Sequence, residues 1–360
     1  MTKHIFSPYR ICPIGAHVDH QGGVVLGRTI NMGTTLTYSP LASKEIRIKS
    51  DPLGKTRFFI GDEIDKTHWV RYAQAAAIVL DKRHKLRRGF LGQLNGTLIG
   101  AGLSSSASVS LAYLKALADV NNIELPDQVL VQLEYELEQD VLGLQIGLLD
   151  PLAIVHGKRN ALLFMDTITA SVKPIFDSPS NVSMWIVAYS GVSRELTKSG
   201  FNTRVLECRQ AASLLKDGAQ ILSDVPRQLF EEKKTTLPEN LRRRAEHFYG
   251  EVERVHRGAK AWEDSDMELF GKLMNQSCES SIRLYESGSE ILIQLHEIAS
   301  SINGVYGSRF SGGGYGGCVV ALANRDLAES AAMEIAEKFS ARHPELRSIV
   351  YDVETSDGLQ

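Results

Sequence analysis

The chain has 360 residues, 43% of them hydrophobic and 23% charged, with a formal net charge of -3 at pH 7. A single core stops growing at roughly 250–300 residues, so two domains are expected, and the small negative charge argues against nucleic acid or an anionic membrane surface as the main partner. Cys12, Cys208, Cys278 and Cys318 form no CxxC pair, Met1 to Ile5 holds no apolar leader core, and no apolar run reaches the ~20 residues of a bilayer span; the expectation is a cytoplasmic protein with reduced, mostly buried thiols.

From the N-terminus, Ile5 to Ile14 is apolar and β-branched and reads as a strand broken by Pro8 and Pro13. Arg10, His17, Asp19 and His20 crowd into eleven residues where that strand ends. Asp and His supply the convergent hydrogen-bonding groups a polyol needs. A metal site is the other use of an HxDH pattern, though together with Cys12 it matches no common zinc spacing. Gln21-Gly22-Gly23 is a turn, and Val24 to Leu26, Thr34 to Tyr38 and Glu45 to Lys49 read as three more strands. Trp69 to Leu80 has helical spacing, with Tyr72, Ala75, Ala76 and Val79 on one face.

A glycine–serine segment, Gly100 to Ala107, leads into a helix that runs to about Asn121. The glycines allow close backbone approach, and a helix start offers unpaired N–H groups and a positive dipole end to phosphate. Its serines can also ligate Mg²⁺. The GK[ST] of a Walker A loop is missing. The alternative is a serine cap without a ligand, for which one serine suffices.

A second helix is expected from about Asp127 to Leu142, and Ile146 to His156 is apolar except for Asp150. A carboxylate in such a setting is costly without partners. A base paired with Arg10 explains it; so does a structural cap beside Pro151. Leu162 to Met165 is a strand, Ser178 to Asn181 a linker or surface turn, and Trp185 to Tyr189 another strand.

The region from Thr203 to about Ser301 is helical and charge-rich, and Arg242-Arg243-Arg244 reads as a solvated face. Ser311 to Cys318 carries five glycines in six positions, so the backbone bends tightly or passes close to something. A flexible linker is the alternative, disfavoured by the apolar strands at Val305 to Phe310 and Cys318 to Leu322. A helix through Ala341 and a strand near Ile349 to Val353 close the chain. The pattern is α+β, with strands clustered rather than alternating with helices.

Taken in order, these segments resemble the motifs of the GHMP kinase superfamily, and of its galactokinases in particular. Arg10 followed by Gly15-Ala16-His17-Val18-Asp19-His20-Gln21-Gly22-Gly23 is similar to the galactokinase arginine and GEHxDYxGG stretch. Leu98 to Ser108 matches P-x-G-x-GLSSSAS, with Leu98 where proline is usual; Gly147 to Asp150 matches GIMD, and Tyr306 to Cys318 matches YGSRxTGGGFGGC. Phe270 to Met274 and Tyr285-Glu286 also fall where the family has them.

The resemblance implies the two-domain GHMP kinase fold. That means a ribosomal-protein-S5-like N-terminal domain over 1–177, with the phosphate loop and catalytic aspartate, and a ferredoxin-like C-terminal domain over 178–360, with the glycine-rich motif. It implies an ATP-dependent, Mg²⁺-using sugar 1-kinase, a monomer or weak homo-oligomer whose partners are a sugar or sugar acid and ATP. Asp150 would accept the proton of the C1 hydroxyl, and Arg10 would hold Asp150 ionised and steady the transferring phosphoryl group. Gly100, Ala101, Gly102, Leu103, Ser104, Ser105 and Ser106 would wrap the ATP phosphates. Ser106 and Glu138 would bind Mg²⁺, and His17, Asp19 and Gly314 would grip the sugar.

The chain departs from galactokinases in an informative way. Ala16 stands where they place a glutamate that bonds the sugar's 6-hydroxyl. Loss of that acceptor is poor for galactose but suits a sugar whose C6 is a carboxylate. Two like charges ~4 Å apart repel by about 4 kcal/mol at an effective dielectric of about 20, nearly a thousandfold in binding at roughly 1.4 kcal/mol per tenfold. The stretch from Pro8 to Gly23 resembles the galacturonokinases, known from plants. Galacturonate therefore leads as substrate and galactose is second, with Arg28, Arg194, Lys198 and Arg204 as candidates for the C6 carboxylate. Phe201 replaces the tyrosine of YNxR in the sugar site, and Pro151 replaces the glutamine after the catalytic aspartate. A catalytically silent, galactokinase-like sensor is a third reading, opposed by the presence of every catalytic residue.

Overall fold

A computed structural model describes residues 1–97, 100–193 and 200–360. Its first half runs β1 (Lys3–Ile14), β2 (Val24–Pro40), β3 (Glu45–Ser50), β4 (Gly54–Phe59), α1 (Arg71–His84), β5 (Phe90–Gly96), α2 (Ser105–Val120), α3 (Asp127–Glu136), α4 (Leu149–His156), β6 (Ala161–Asp166) and β7 (Ser171–Phe176). The strands make one sheet in the order β4-β3-β5-β2-β6-β7, with β1 laddered antiparallel on β2.

Pro8 and Pro13 do not interrupt β1. Among the described strands it pairs only with β2, and its register shifts between Pro8 and Tyr9 and between Ile11 and Ile14, so the missing donors fall at irregular positions of an edge strand. The separate strands expected at 24–26 and 34–38 are one strand, β2. Its start ladders with β6 and its end with β5, while β1 follows nearly its whole length. The intervening residues have no clean alternation, so only the neighbouring strand reveals them as β. The helix that begins at Asp127 passes into a π turn, Leu137–Val141, which sequence periodicity does not register.

A turn closed by Asn181 N–H donating to Ser178 O leads from β7 into a second sheet. The chain continues β8 (Ser183–Tyr189), α5 (Phe201–Leu215), α6 (Arg227–Lys233), α7 (Glu239–Glu263), α8 (Met267–Arg283), α9 (Glu290–Ser300), β9 (Val305–Phe310), β10 (Cys318–Asn324), α10 (Ala328–Arg342) and β11 (Ile349–Val353). This sheet has the order β11-β8-β10-β9. The last residues return to the first sheet, where Gln360 and Phe6 exchange backbone hydrogen bonds at 3.2 and 3.0 Å.

Helix α2 carries Leu111, Leu114 and Leu117 fully buried against α1 and the first sheet; trimming one of them to alanine costs about 3 kcal/mol. The core stripe of α7 mixes charge into an apolar pattern: Arg244, His247, Phe248, Glu251, Val255 and Trp262 are all buried at helical spacing. The expected solvated face at 242–244 is therefore corrected at Arg244. Its guanidinium is wholly buried, donating to Glu207 at 2.6 Å, to Leu284 O at 2.5 Å and to Glu286. A buried guanidinium so satisfied is a tie between helices rather than a surface charge. All four cysteines are free and buried. No described helix is long and apolar enough to cross a membrane.

Candidate active site

A cavity of about 540 Å³ is lined by the end of β1 and the connection after it, the glycine–serine loop, the π turn, the start of α4, and Gly312-Gly313 of the glycine-rich loop. Arg10, from β1, and Asp150, from the first turn of α4, meet there. Arg10 Nε donates to Asp150 Oδ1 at 2.7 Å, and Arg10 Nη1 donates to Gly102 O at 3.2 Å and Ser311 Oγ at 3.3 Å. Ser311 Oγ donates in turn to Gly102 O at 3.0 Å. One guanidinium thus ties together the aspartate, the glycine–serine loop and the glycine-rich loop. The cap of α4 is Leu148, not Asp150, so the aspartate is not spent on capping.

The connection after β1 presents Ala16, His17 and Asp19 to the cavity. His17 holds a left-handed backbone at φ 62°, which costs a non-glycine residue energy and so needs strong surroundings. Those are present. Its ring stacks on Tyr285 at 4.3 Å, its Nε2 lies 3.0 Å from Ser287 Oγ, and His247 Nε2 donates to Ala16 O at 3.0 Å. Burial lowers His247 to about 4 and His20 to about 3, so both are neutral imidazoles at neutral pH. Burial, with the nearby Asp150 carboxylate, raises Asp19 to about 6, against backbone N–H groups of His20 and Leu149 and the Arg10 charge. Gly147 is required beside Asp19: a Cβ there would lie 2.4 Å from Asp19 Oδ2.

At the other end lies the start of α2. Ser104 precedes it with a left-handed backbone at φ 63° and makes no side-chain cap. Its hydroxyl is buried with no hydrogen-bond partner among the described residues, yet Ser104 lines the cavity. Ser105 Oγ instead accepts from Gly100 N at 3.1 Å, closing the loop on itself. Ser106 and Glu138 line the same stretch. A hydroxyl and a carboxylate suit a hard cation such as Mg²⁺, and the charge around them is negative. Glu134, one helical turn before Glu138, is fully buried, and burial together with the Glu138 and Asp150 carboxylates pushes it well above the carboxylate range. Among the described residues no three His, Cys, Asp or Glu side chains are arranged to hold a metal. A cation at Ser106 and Glu138 would therefore draw further ligands from phosphate and water, the usual habit of Mg²⁺.

The fold brings together Arg10, Asp150, Ala16, His17, Asp19, Phe201, Gly100, Gly102, Ser104, Ser105, Ser106 and Glu138. Ala101 and Leu103 are fully buried behind the loop, with Leu103 O accepting from Arg10 N. Gly314 is not among the residues that line the cavity, and its carbonyl accepts from Ser289 N at 2.7 Å. The glycine-rich segment is anchored rather than a linker. Ser311 N donates to Cys318 O, and a Cβ on Gly317 would lie 2.3 Å from Ala101 O.

Two candidates for a carboxylate partner are corrected. Arg28 is paired with Asp177 and lies over Trp262 at 5.2 Å, and Arg204 is held by Glu207 at 3.0 Å and Glu286 at 3.2 Å; neither lines the cavity. Arg194, Lys198 and Leu98 lie outside the described residues. Sequence reasoning missed Lys66, Arg71 and Ser311 on or beside the cavity, and Glu134 behind it. Only Glu134 carried a signal, its four-residue spacing from Glu138 on one helix.

Residues 71–158 match the GHMP kinases N terminal domain, and residues 259–341 match the GHMP kinases C terminal domain. A galacturonokinase of Arabidopsis thaliana is 36% identical, over 96% of this chain and 88% of that protein. A galactokinase of Limosilactobacillus fermentum is 31% identical, over 98% and 93%. The solved structure of Lactococcus lactis galactokinase complexed with galactose superposes with a TM-score of 0.92 at 27% identity, covering 100% of this chain and 95% of that one. Fold and site together define a small-molecule kinase of the two-domain GHMP type. The chain belongs to the GHMP kinase superfamily and, within it, to the galactokinase family; it is a sugar kinase.

Proposed function

We propose that the protein transfers the γ-phosphoryl group of ATP to the anomeric hydroxyl of D-galacturonate, giving galacturonate 1-phosphate and ADP. The observation that carries this reading is the Arg10–Asp150 pair, 2.7 Å apart on the wall of a cavity that has an alanine at residue 16. The C1 oxygen attacks the γ-phosphorus, the bond from that phosphorus to the β-bridging oxygen breaks, and the C1 proton passes to an Asp150 oxygen. Arg10 holds the aspartate in place and faces the migrating charge. Asp19 and His17 orient the sugar, and Ser104 to Ser106 cradle the phosphates. Ser106 and Glu138 would hold Mg²⁺, which when bound neutralises phosphate charge. Chemistry of this kind is mostly positioning and charge neutralisation.

The uronate reading rests on Ala16. With no carboxylate there, a C6 carboxylate meets no repulsion from that position, and the 36% identical galacturonokinase supports the same choice. The test is a phosphoryl-transfer assay of the purified chain with ATP and galacturonate, glucuronate, galactose or GalNAc, with the product identified by phosphorus NMR. Galacturonate is expected to give the highest kcat/KM. A preference for galactose would assign galactokinase activity, and no turnover on any sugar would make the chain a binding protein.

A further inference from the structure

The cavity holds two cations that neither the proposed base pair nor the sugar contacts use. Lys66 and Arg71 line it from the loop before α1 and from the first turn of α1. Arg71 is partly buried and already positioned: its Nη1 donates to Lys66 O at 3.1 Å, its Nη2 donates to Tyr72 Oη at 3.3 Å, and its guanidinium lies over the Tyr72 ring at 5.0 Å. These contacts fix the side chain without cancelling its charge, and among the described residues no acid pairs with Arg71 or Lys66. Arginine forks match phosphate oxygens.

Their place in the fold selects the ligand. Helix α1 packs on α2 and on the π turn carrying Glu138, so these cations belong to the glycine–serine end of the cavity. The sugar end is built by the β1–β2 connection and α5. The glycine–serine loop itself contains no lysine or arginine, whereas a P-loop carries its own lysine. The Ser104 hydroxyl, buried and unpartnered among the described residues, belongs to a residue of the same loop that lines the cavity.

We propose that Arg71, with Lys66 beside it, binds the nucleotide triphosphate and supplies the positive charge the loop lacks. This rests on ATP as the phosphoryl donor but not on which sugar is phosphorylated. The test is calorimetric titration of the full chain with AMP-PNP and, separately, with adenosine. Arg71→Gln is expected to weaken AMP-PNP about tenfold, as the loss of a charge-assisted hydrogen bond does. Lys66→Gln, at an exposed position, costs about threefold. Adenosine affinity and the sugar KM stay at wild-type values. Arg71→Lys, which keeps the charge but not the fork, recovers part of the loss and serves if the glutamine variant does not fold. Unchanged AMP-PNP affinity in both glutamine variants overturns the proposal. An equal loss for adenosine, or a rise in sugar KM alone, also overturns it, by moving the residues to the base pocket or to the sugar. A sugar panel without galacturonate turnover would leave these titrations readable.

Discussion

Asp150 and Glu251 are both carboxylates held by arginine, and they differ in what surrounds their oxygens. Glu251, on α7, is fully buried. Its Oε1 accepts from Gly15 N at 2.8 Å and from Ser277 Oγ, and its Oε2 accepts from Arg254 Nε at 2.6 Å, with Arg309 Nη1 3.6 Å away. Burial alone would raise its carboxyl, but Arg254, His247, Arg309 and the Ser277 hydroxyl outweigh burial and hold it at about 2. Asp150 takes one arginine on one oxygen and keeps 21% of its side chain exposed, on the cavity wall. A saturated carboxylate can only hold structure; here it anchors Gly15 and so aims Ala16 and His17. A carboxylate with an open side can receive a proton from a bound hydroxyl.

The contrast breaks most sharply at Asp150. Asp150→Asn should lower kcat by about a thousandfold, the middle of the range for a general base, while AMP-PNP binding and the melting temperature stay near wild type. Steady-state kinetics and calorimetry check this, and substantial residual kcat would remove Asp150 from the base role. Glu251→Gln should do the reverse. Leaving Arg254 and Arg309 without their anion costs about 3 kcal/mol of stability, as breaking a buried pair does, measured by urea unfolding. The sign with pH follows from a depressed carboxyl. The contribution of Glu251 is fully present above its ordinary value of 4.5 and is lost as pH falls toward about 2. Urea midpoints across that window should fall less steeply in the variant than in wild type.

Two smaller effects sharpen the picture of the open site. Ala16→Glu should shift relative kcat/KM from galacturonate toward galactose by about tenfold, a solvent-discounted share of the like-charge repulsion. An unchanged preference would put C6 elsewhere. Asp19, raised to about 6 by burial and Asp150, should give kcat/KM an acid limb. Below that pH it gains a proton and loses acceptor capacity for sugar hydroxyls, so activity is about half its plateau near pH 6. Residual activity of Asp19→Asn should lack that limb.

Much of the site was legible because its chemistry lies in short contiguous runs. Arg10, His17 and Asp19, the serines at 104–106, and Asp150 stand out by composition alone, and each run sits at a strand end or helix start where the fold delivers it. Glu251, Arg254 and Arg309 were not legible. On α7 the charged residues occupy core positions of a helical stripe, and a pattern that sorts charge outward reads them as surface. The same sorting misplaced Arg244. Arg28 and Arg204 looked available because a sequence does not display the acids that neutralise them, Asp177, Glu207 and Glu286.

By itself the sequence determined the two-domain α+β class, the ordered motifs of a GHMP kinase, and the missing acid at residue 16, because these depend on residue type and local spacing. Only tertiary structure decided that Arg10 reaches Asp150, 140 positions along the chain, at 2.7 Å, and that β2 is one strand. It also decided which arginines are neutralised inside the protein and which still face the cavity. Those outcomes depend on distances between elements far apart in the chain, and electrostatic partnership acts through space, where local periodicity carries no information about it.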